Sequence, residues 1–352
     1  MRVVVAMSGG VDSSVAAALL AEAGHDVVGV SMQLYDQRGE ETFGSCCTLD
    51  DLHDARRVAA AIGVPHYILN FERQFQEAVV SNFVREYTAG RTPLPCAHCN
   101  SNLKFSTLLD RATGLGAAHV ATGHYARVET TPDGRHLLKR GLDPDKDQSY
   151  FLFSLTQDQL AHASFPVGPL SKADVRGHAR RLGLPVAEKP DSQEICFVPS
   201  GDYAAFVESK SDAPPQPGRI EDSDGRTLAM HGGVHRFTVG QRKGLGVSSP
   251  APLYVLRIEA ESGTVTVGPR QALERSTFTA SGVTWTAGVR PDTWLPVTAQ
   301  IRHRHRAAPG RVRAIEDNRA EMTFDTPQQA ITPGQAAVFY DDDVVVGGGW
   351  IE

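Results

Sequence analysis

The chain has 352 residues, 41% hydrophobic and 22% charged, with a formal net charge of −6 at pH 7. That length gives room for two or three domains with full cores, and the composition is globular rather than disordered or fibrous. A net negative charge excludes a uniformly basic nucleic-acid coat, so any nucleic acid must be gripped by local patches. The sequence opens on a strand pattern and holds no 18-residue apolar run, so a cytosolic protein with no membrane partner is expected. The five cysteines are unevenly spaced. In the cytosol such residues are metal-binding, catalytic or buried rather than a disulfide framework.

The first predicted element is the β-branched run 3–7, read as a parallel strand covered on both faces. Ser8-Gly9-Gly10-Val11-Asp12-Ser13-Ser14 follows, and a helical run to Glu22 comes next. Gly9 and Gly10 permit backbone shapes and ligand approaches that a Cβ would block. The helix start supplies unpaired N–H groups and a positive dipole end, and the serines add hydroxyls. Together these make a cradle for an anion, most often phosphate. Asp12 would repel phosphate unless a divalent cation sat between them, and Mg²⁺ is commonly held by one or two carboxylates plus phosphate oxygens. The run is not the G-x-x-x-x-G-K-[ST] phosphate loop. It resembles the PP-loop of ATP pyrophosphatases, enzymes that split ATP into AMP and pyrophosphate and use the AMP to activate an oxygen.

Strand patterns recur at 27–31, 66–69 and 119–122. Helical patterns separate them at 50–62, 72–87 and 102–113. This βαβα alternation predicts a doubly wound parallel sheet with its site at the carboxyl ends of the strands. A hairpin is expected over 127–139 around Asp133-Gly134, then helices over 157–163 and 172–182. The composition changes near residue 200. A proline-rich stretch, 212–218, precedes short strand patterns punctuated by turn signals, which read as all-β. The expected division is an α/β PP-loop domain over 1–199, a small linker domain over 200–274 and a β-barrel-like domain over 275–352.

Three cysteines stand out. Pro95-Cys96-Ala97-His98-Cys99-Asn100 is expected on a loop before a helix, where the dipole would lower a thiol pKa and raise its thiolate fraction. Cys196 is expected on a second loop or short turn. Two thiols brought together over a nucleotide would permit a sulfur relay, one attacking and the other resolving by disulfide formation. The alternative for C-x-x-C is a zinc half-site. Its other half is missing, because Cys46-Cys47 has the wrong spacing; those two read as small buried residues.

The PP-loop run combines with Gly123-His124-Tyr125-Ala126-Arg127, with Lys146-Asp147-Gln148-Ser149-Tyr150-Phe151-Leu152 and with Asp191-Ser192-Gln193-Glu194-Ile195-Cys196-Phe197. Gly240-Gln241-Arg242-Lys243-Gly244-Leu245-Gly246 and Ile301-Arg302-His303-Arg304 complete the set. Jointly, in order and over nearly the whole chain, they resemble the tRNA-specific 2-thiouridylase family. The resemblance implies ATP-dependent adenylation of the C2 oxygen of the wobble uridine in tRNAs for Lys, Glu and Gln, followed by replacement of that oxygen with sulfur. It makes Cys99 the nucleophile and Cys196 the persulfide carrier, with a transient Cys99–Cys196 disulfide and an outside sulfur donor. It carries ATP contacts to Ala6, Met7, Ser8, Gly9, Gly10, Val11, Asp12, Ser13, Met32 and Gly123, with Mg²⁺ at Asp12. It carries tRNA contacts to His124, Lys146, Asp147, Gln148, Arg302, His303 and Gln335.

One departure matters. Many members have Asn-Pro-Asp where this chain has Leu94-Pro95-Cys96, so Cys96 takes the position of an aspartate near the target base. Cys96, Cys99 and Cys196 together could ligate an iron–sulfur cluster with an open fourth position.

Substrate grip is expected from Arg302-His303-Arg304-His305-Arg306. If 297–306 is a strand, its arginines share one face and suit phosphates. The glycine-rich run at 240–246 reads as a mobile loop over the anticodon, and Tyr125 or Phe197 as either core or a stacking platform for a flipped base. A monomer is expected. Two other functions remain open from the residues alone: a PP-loop amide-forming ligase, and a non-catalytic RNA-binding module.

Overall fold

The computed structural model describes residues 1–35, 49–191, 195–198, 201–211, 213–316 and 318–352. The expectation for Cys46 and Cys47, and residues 192–194 of the Cys196 motif, lie outside them.

A parallel sheet forms the first layer. Its strands are β1 (Arg2–Ala6), β2 (Asp26–Gln33), β3 (His66–Asn70) and β4 (His119–Thr122). After the antiparallel hairpin β5 (Ala126–Thr130) and β6 (His136–Arg140), the short β7 (Ala163–Ser164) completes it, in the order β3-β2-β1-β4-β7. Period-2 alternation sends β1 into two cores. Val3, Val5 and Met7 pack with Val15, Ala16 and Ala18 of helix α1 (Val11–Glu22) on one face. Val4 and Ala6 pack with Phe75, Phe83 and Leu103 on the other. Each fully buried Val stabilises the sheet by roughly 1.5–3 kcal/mol relative to exposure, so a charge at Val4 would break this layer first.

Helix α2 (Leu49–Ile62) connects β2 to β3 on the α1 side. Across the sheet, α3 (Glu72–Phe75) runs through a π-helical turn (Gln76–Val80) into α4 (Ser81–Thr88). Next, α5 (Pro95–His98) runs through a longer π segment (Cys99–Thr107) into α6 (Leu108–Gly114). The Cys96–Cys99 stretch is therefore helical, not a loop. Pro95 occupies the first helical turn, where its fixed φ favours helix and its missing N–H costs nothing. Helices α7 (Gln157–Ala161) and α8 (Lys172–Arg181) follow, each opened by a capping box.

After α9 (Tyr203–Lys210) comes a small sheet of β8 (Gly218–Glu221), β9 (Thr227–His231), β10 (Tyr254–Glu259) and β11 (Thr264–Gly268), in the order β10-β11-β8-β9. The last unit comprises β12 (Glu274–Thr284), β13 (Leu295–Gln300), β14 (Ala308–Ile315), β15 (Arg319–Gln329), β16 (Ala336–Asp341) and β17 (Val344–Ile351). They run β12-β15-β14-β13-β16-β17, and β17 pairs back onto β12, which closes an antiparallel barrel. The β5–β6 hairpin adds to this barrel sheet through Val344 and Lys139. It thus ties the first unit to the last.

The arginine stripe is corrected. Strand β13 ends at Gln300, and residues 302–304 form a turn. The Gln300 side-chain amide donates to the carbonyls of Arg302 and His303 at 3.2 and 2.8 Å, which bends the chain before alternation can continue. Arg304 and Arg306 are exposed, while Arg302 is half-buried and donates to the Gln329 carbonyl at 3.1 Å.

Candidate active site

Ala6 ends β1, Met32 lies near the end of β2, and Gly123 follows β4 directly. These strands are neighbours, so the residues expected to contact ATP gather at one sheet edge. Between them Gly9 turns the chain with φ +75°, and a Cβ there would meet the Asp51 carbonyl oxygen at 2.1 Å. Gly10 caps α1 without any side-chain hydrogen bond to the helix. The helix start therefore presents backbone N–H groups to whatever anion enters. Ser13 and Ser14 both donate back to the Gly10 carbonyl, at 3.2 and 2.8 Å, and Ser13 Oγ accepts from the Ser8 N–H at 3.2 Å. These bonds hold the turn in shape. Met7 and Val11 are buried beneath it and Ser8 is exposed.

Asp12 projects from the first turn of α1. Its carboxylate accepts from Lys172 Nζ at 2.7 and 2.9 Å and from the Tyr125 hydroxyl at 2.8 Å. Lys172 also pairs with Asp191 at 2.7 Å, and Asp191 with Lys146 at 2.8 Å and Arg176 at 3.5 Å. Burial pushes the Asp191 carboxyl up, but hydrogen bonds from Lys146 and Lys172 outweigh it and hold the group below the usual range. A second cation, Lys189, reaches the Gly9 carbonyl at 3.1 Å and also binds Asp51 and Asp54 at 2.7 and 2.6 Å. The PP-loop thus abuts a cage of alternating charge. A single carboxylate already holding a cation suits Mg²⁺ bound partly by phosphate. Sequence reasoning missed Lys172 and Lys189. One signal was available: Lys172 starts a helix, where a positive charge opposes the dipole.

The thiols approach from the other side. Cys99 and Cys196 are both half-buried and pack against the same hydrophobic cluster, whereas Cys96 is exposed. Phe197 meets Phe75 and Phe83 edge-on at 5.4 and 5.1 Å, which seats the Cys196 turn against α3 and α4. Tyr35, just past β2, donates its hydroxyl to the Cys196 carbonyl at 3.1 Å. Asn100 fixes the Cys99 helix by donating to the Phe151 carbonyl at 3.0 Å. No group of three or more Cys, His, Asp or Glu side chains among the described residues could hold a metal ion. The three thiols therefore do not fit an iron–sulfur cluster, because Cys96 points outward while the other two pack inward. Tyr125 and Phe197 are core residues, not exposed platforms.

Comparison with known proteins decides the family. The model described as tRNA methyl transferase HUP domain matches residues 1–200, its PRC-barrel companion matches 206–269, and an aminomethyltransferase beta-barrel domain matches 275–351. A tRNA-specific 2-thiouridylase MnmA from Geotalea uraniireducens is 54% identical over 100% of this chain and 95% of its own length. The chain belongs to the MnmA family of tRNA-specific 2-thiouridylases. Proteins of that name from Geobacter metallireducens (52%, 100% of this chain and 96% of that one) and Solibacter usitatus (53%, 99% of each) agree.

Several positions that the MnmA resemblance assigns to tRNA also make internal bonds. Asp147 pairs with Arg140 at 2.7 Å and accepts from the Ser149 N–H at 3.0 Å. Gln148 accepts from the Tyr125 N–H at 3.0 Å. Gln335 donates to the Thr92 and Pro93 carbonyls at 3.0 and 3.3 Å, so the barrel holds the turn that leads into Cys96. His124 lies 2.7 Å from the Thr122 hydroxyl, and burial, with Lys104 nearby, pushes its pKa well down. His303 is exposed but rests near the Phe151 ring at 4.6 Å. The run at 240–246 exposes Arg242 and Lys243. It lies beside the Cys96 approach, where Thr92 and Thr238 hydroxyls meet at 3.2 Å.

Proposed function

We propose that this chain, like the proteins it matches, replaces the C2 oxygen of the wobble uridine of tRNAs for Lys, Glu and Gln with sulfur. Family membership across all three units carries the reading, and a PP-loop tied to the Cys196 segment through Lys172 and Asp191 supports it. The uridine C2 oxygen attacks the α-phosphorus of ATP, and pyrophosphate leaves. The terminal sulfur of a Cys196 persulfide then attacks C2 and AMP departs with the oxygen. The Cys99 thiolate attacks the Cys196 sulfur, the sulfur–sulfur bond to the base breaks, and the products are 2-thiouridine and a Cys99–Cys196 disulfide. A reductant of the thiol class and a persulfide donor restore the starting state. Mg²⁺, held by Asp12 with the phosphates, would offset their charge. This scheme needs no iron–sulfur cluster.

Around that chemistry, Ala6 to Ser13, Met32 and Gly123 hold ATP. Cys96, exposed one helical turn before Cys99, stands beside the target base. Lys146, Arg302, His303, Arg304 and Arg306, with Arg242 and Lys243 of the glycine-rich run, meet tRNA phosphates. His124, Asp147, Gln148 and Gln335 act through the backbone they fix as well as by direct contact. The domain limits proposed are 1–199, 200–274 and 275–352. No described helix is long and apolar enough to cross a membrane, and a cytoplasmic monomer is our reading.

The test is sulfur incorporation: purified chain, Mg·ATP, unmodified tRNA for Glu, a persulfide donor and a thiol reductant, read by the mass of the wobble nucleoside. One sulfur gained for one oxygen, dependent on ATP and Cys99, is expected. Release of AMP and pyrophosphate with no sulfur gained and no need for Cys99 would favour the amide-forming ligase instead.

A further inference from the structure

Cys99 and Cys196 are half-buried and pack against one hydrophobic cluster, while Cys96 is exposed. Sulfur transfer as proposed ends each cycle with a Cys99–Cys196 disulfide in that apolar setting. A disulfide is opened by a thiolate that reaches one of its sulfurs, and the cluster restricts that reach. Direct access would also be harmful. A reductant able to reach Cys196 would strip the persulfide there before it met the base. The reductant and the persulfide therefore need separate routes.

The turn that carries Cys96 supplies one. The Cys99 N–H donates to the carbonyls of both Pro95 and Cys96. The bond to Cys96 spans three residues, which tightens the turn and brings side chains three apart towards eclipse. Cβ atoms three apart on a helix lie about 5–6 Å from each other, and a disulfide needs about 4 Å, so a shift of about 1–2 Å within one turn closes the bond. Cys96 is also the second residue of a helical stretch that continues to Gly114, where the dipole favours thiolate. An aspartate at this position, as in many members of the family, could not take part.

We infer that Cys96 is the resolving thiol that renews the relay, moving the disulfide from Cys99–Cys196 to Cys96–Cys99 at the protein surface. The Cys96 thiolate attacks the Cys99 sulfur, the Cys99–Cys196 bond breaks, and Cys196 leaves as thiolate. It is then ready to take the outer sulfur of a donor persulfide. A dithiol reductant attacks the exposed Cys96 sulfur, and Cys99 leaves as thiolate. The reductant's second thiol closes the reductant's own disulfide and releases Cys96. Two electrons enter per cycle, matching the two that sulfur transfer consumes. The inference deepens the proposed sulfur transfer and rests on it.

The test uses the full chain, loaded with persulfide by glutathione persulfide and then desalted. One equivalent of unmodified tRNA for Glu is added with Mg·ATP and no reductant. The reaction is quenched in acid, alkylated and mapped by peptide mass spectrometry. In the wild type each sulfur gained should be matched by a Cys96–Cys99 disulfide, with Cys196 alkylated. In Cys96→Ser each sulfur gained should instead leave a Cys99–Cys196 disulfide. With excess persulfide donor and a protein dithiol too large to enter the cluster, the ratio of steady-state to single-turnover rate should fall at least tenfold in Cys96→Ser. Taking the ratio removes any effect of position 96 on the base itself. A wild-type chain that stops at Cys99–Cys196, or an unchanged ratio in the variant, would overturn the exchange. The wild-type map decides alone should the variant transfer no sulfur. A wild-type chain that gains no sulfur, or gains it without forming any disulfide, would instead sink the relay on which the exchange rests.

Discussion

Gly123→Ala tests whether the ATP site depends on how closely β4 approaches α1. An added Cβ would lie 2.4 Å from the Ser13 nitrogen, 2.6 Å from the Asp12 carbonyl carbon and 2.8 Å from Ser13 Cα. Ordinary contact begins at 3.4 Å, so the helix start must retreat by about 1 Å. All three atoms are backbone, and no rotamer change can relieve them. Overpacking of this kind costs roughly 1–3 kcal/mol. At about 2–4 °C per kcal/mol the melting temperature should fall by roughly 2–12 °C. The greater loss should be catalytic, since a misplacement of about 1 Å can cost on the order of a hundredfold in rate. ATP–pyrophosphate exchange in the presence of tRNA is the assay. Gly134→Ala serves as the control: its φ is +83° and nothing lies within 4 Å of the added Cβ. That change costs about 1–2 kcal/mol of backbone strain and should leave exchange unaltered. Normal exchange in Gly123→Ala, or an equal loss in Gly134→Ala, would refute the steric argument.

Asp12→Asn should abolish adenylation and leave tRNA affinity nearly intact; lost tRNA binding would give Asp12 a structural role. Cys99→Ser and Cys196→Ser should each stop sulfur transfer in the nucleoside assay, and normal turnover in either would unseat the relay. Arg304→Ala should weaken tRNA binding and reduce its salt slope by about one unit, while an unchanged slope would turn that arginine away from RNA. Burial, with Lys104 nearby, holds the folded pKa of His124 well below the ordinary 6.5. Its contribution is full above that value and is lost as pH falls through the lower folded pKa. The melting temperature should drop more between pH 7 and pH 5 in the wild type than in His124→Gln, and parallel curves would contradict this.

The parallel sheet was legible because its strands announce themselves. Val3 to Val5 is β-branched and bounded by Ser8-Gly9-Gly10, and Gly24, Gly63 and Gly134 all adopt the positive φ that their turn positions require. The closed barrel was legible only as many short strands with turns. Closure depends on β12 pairing with β17, and long-range register leaves no local mark. The same holds for the β5–β6 hairpin. Its turn was readable from Asp133-Gly134, but its docking to β17 was not. The arginine stripe failed because alternation was extended past Gln300, whose side chain caps the bend by bonding two carbonyls ahead.

The candidate site divides along the same line. Residues that act through backbone shape, such as Gly9 and Gly10, are contiguous and readable. Residues that act through charge converge from distant elements. Asp12, Lys172 and Asp191 come from α1, α8 and the segment after it, and no window of sequence contains them together. The cysteines show the intermediate case. C-x-x-C was visible, but its setting was misjudged, because Pro95 begins a helix rather than prolonging a loop. Cys96 and Cys99 are three residues apart on that helical stretch, yet one is exposed and the other packs on the core. That difference sets Cys96 apart from Cys99 and Cys196, which pack on one cluster, and no group of described side chains could hold a metal ion.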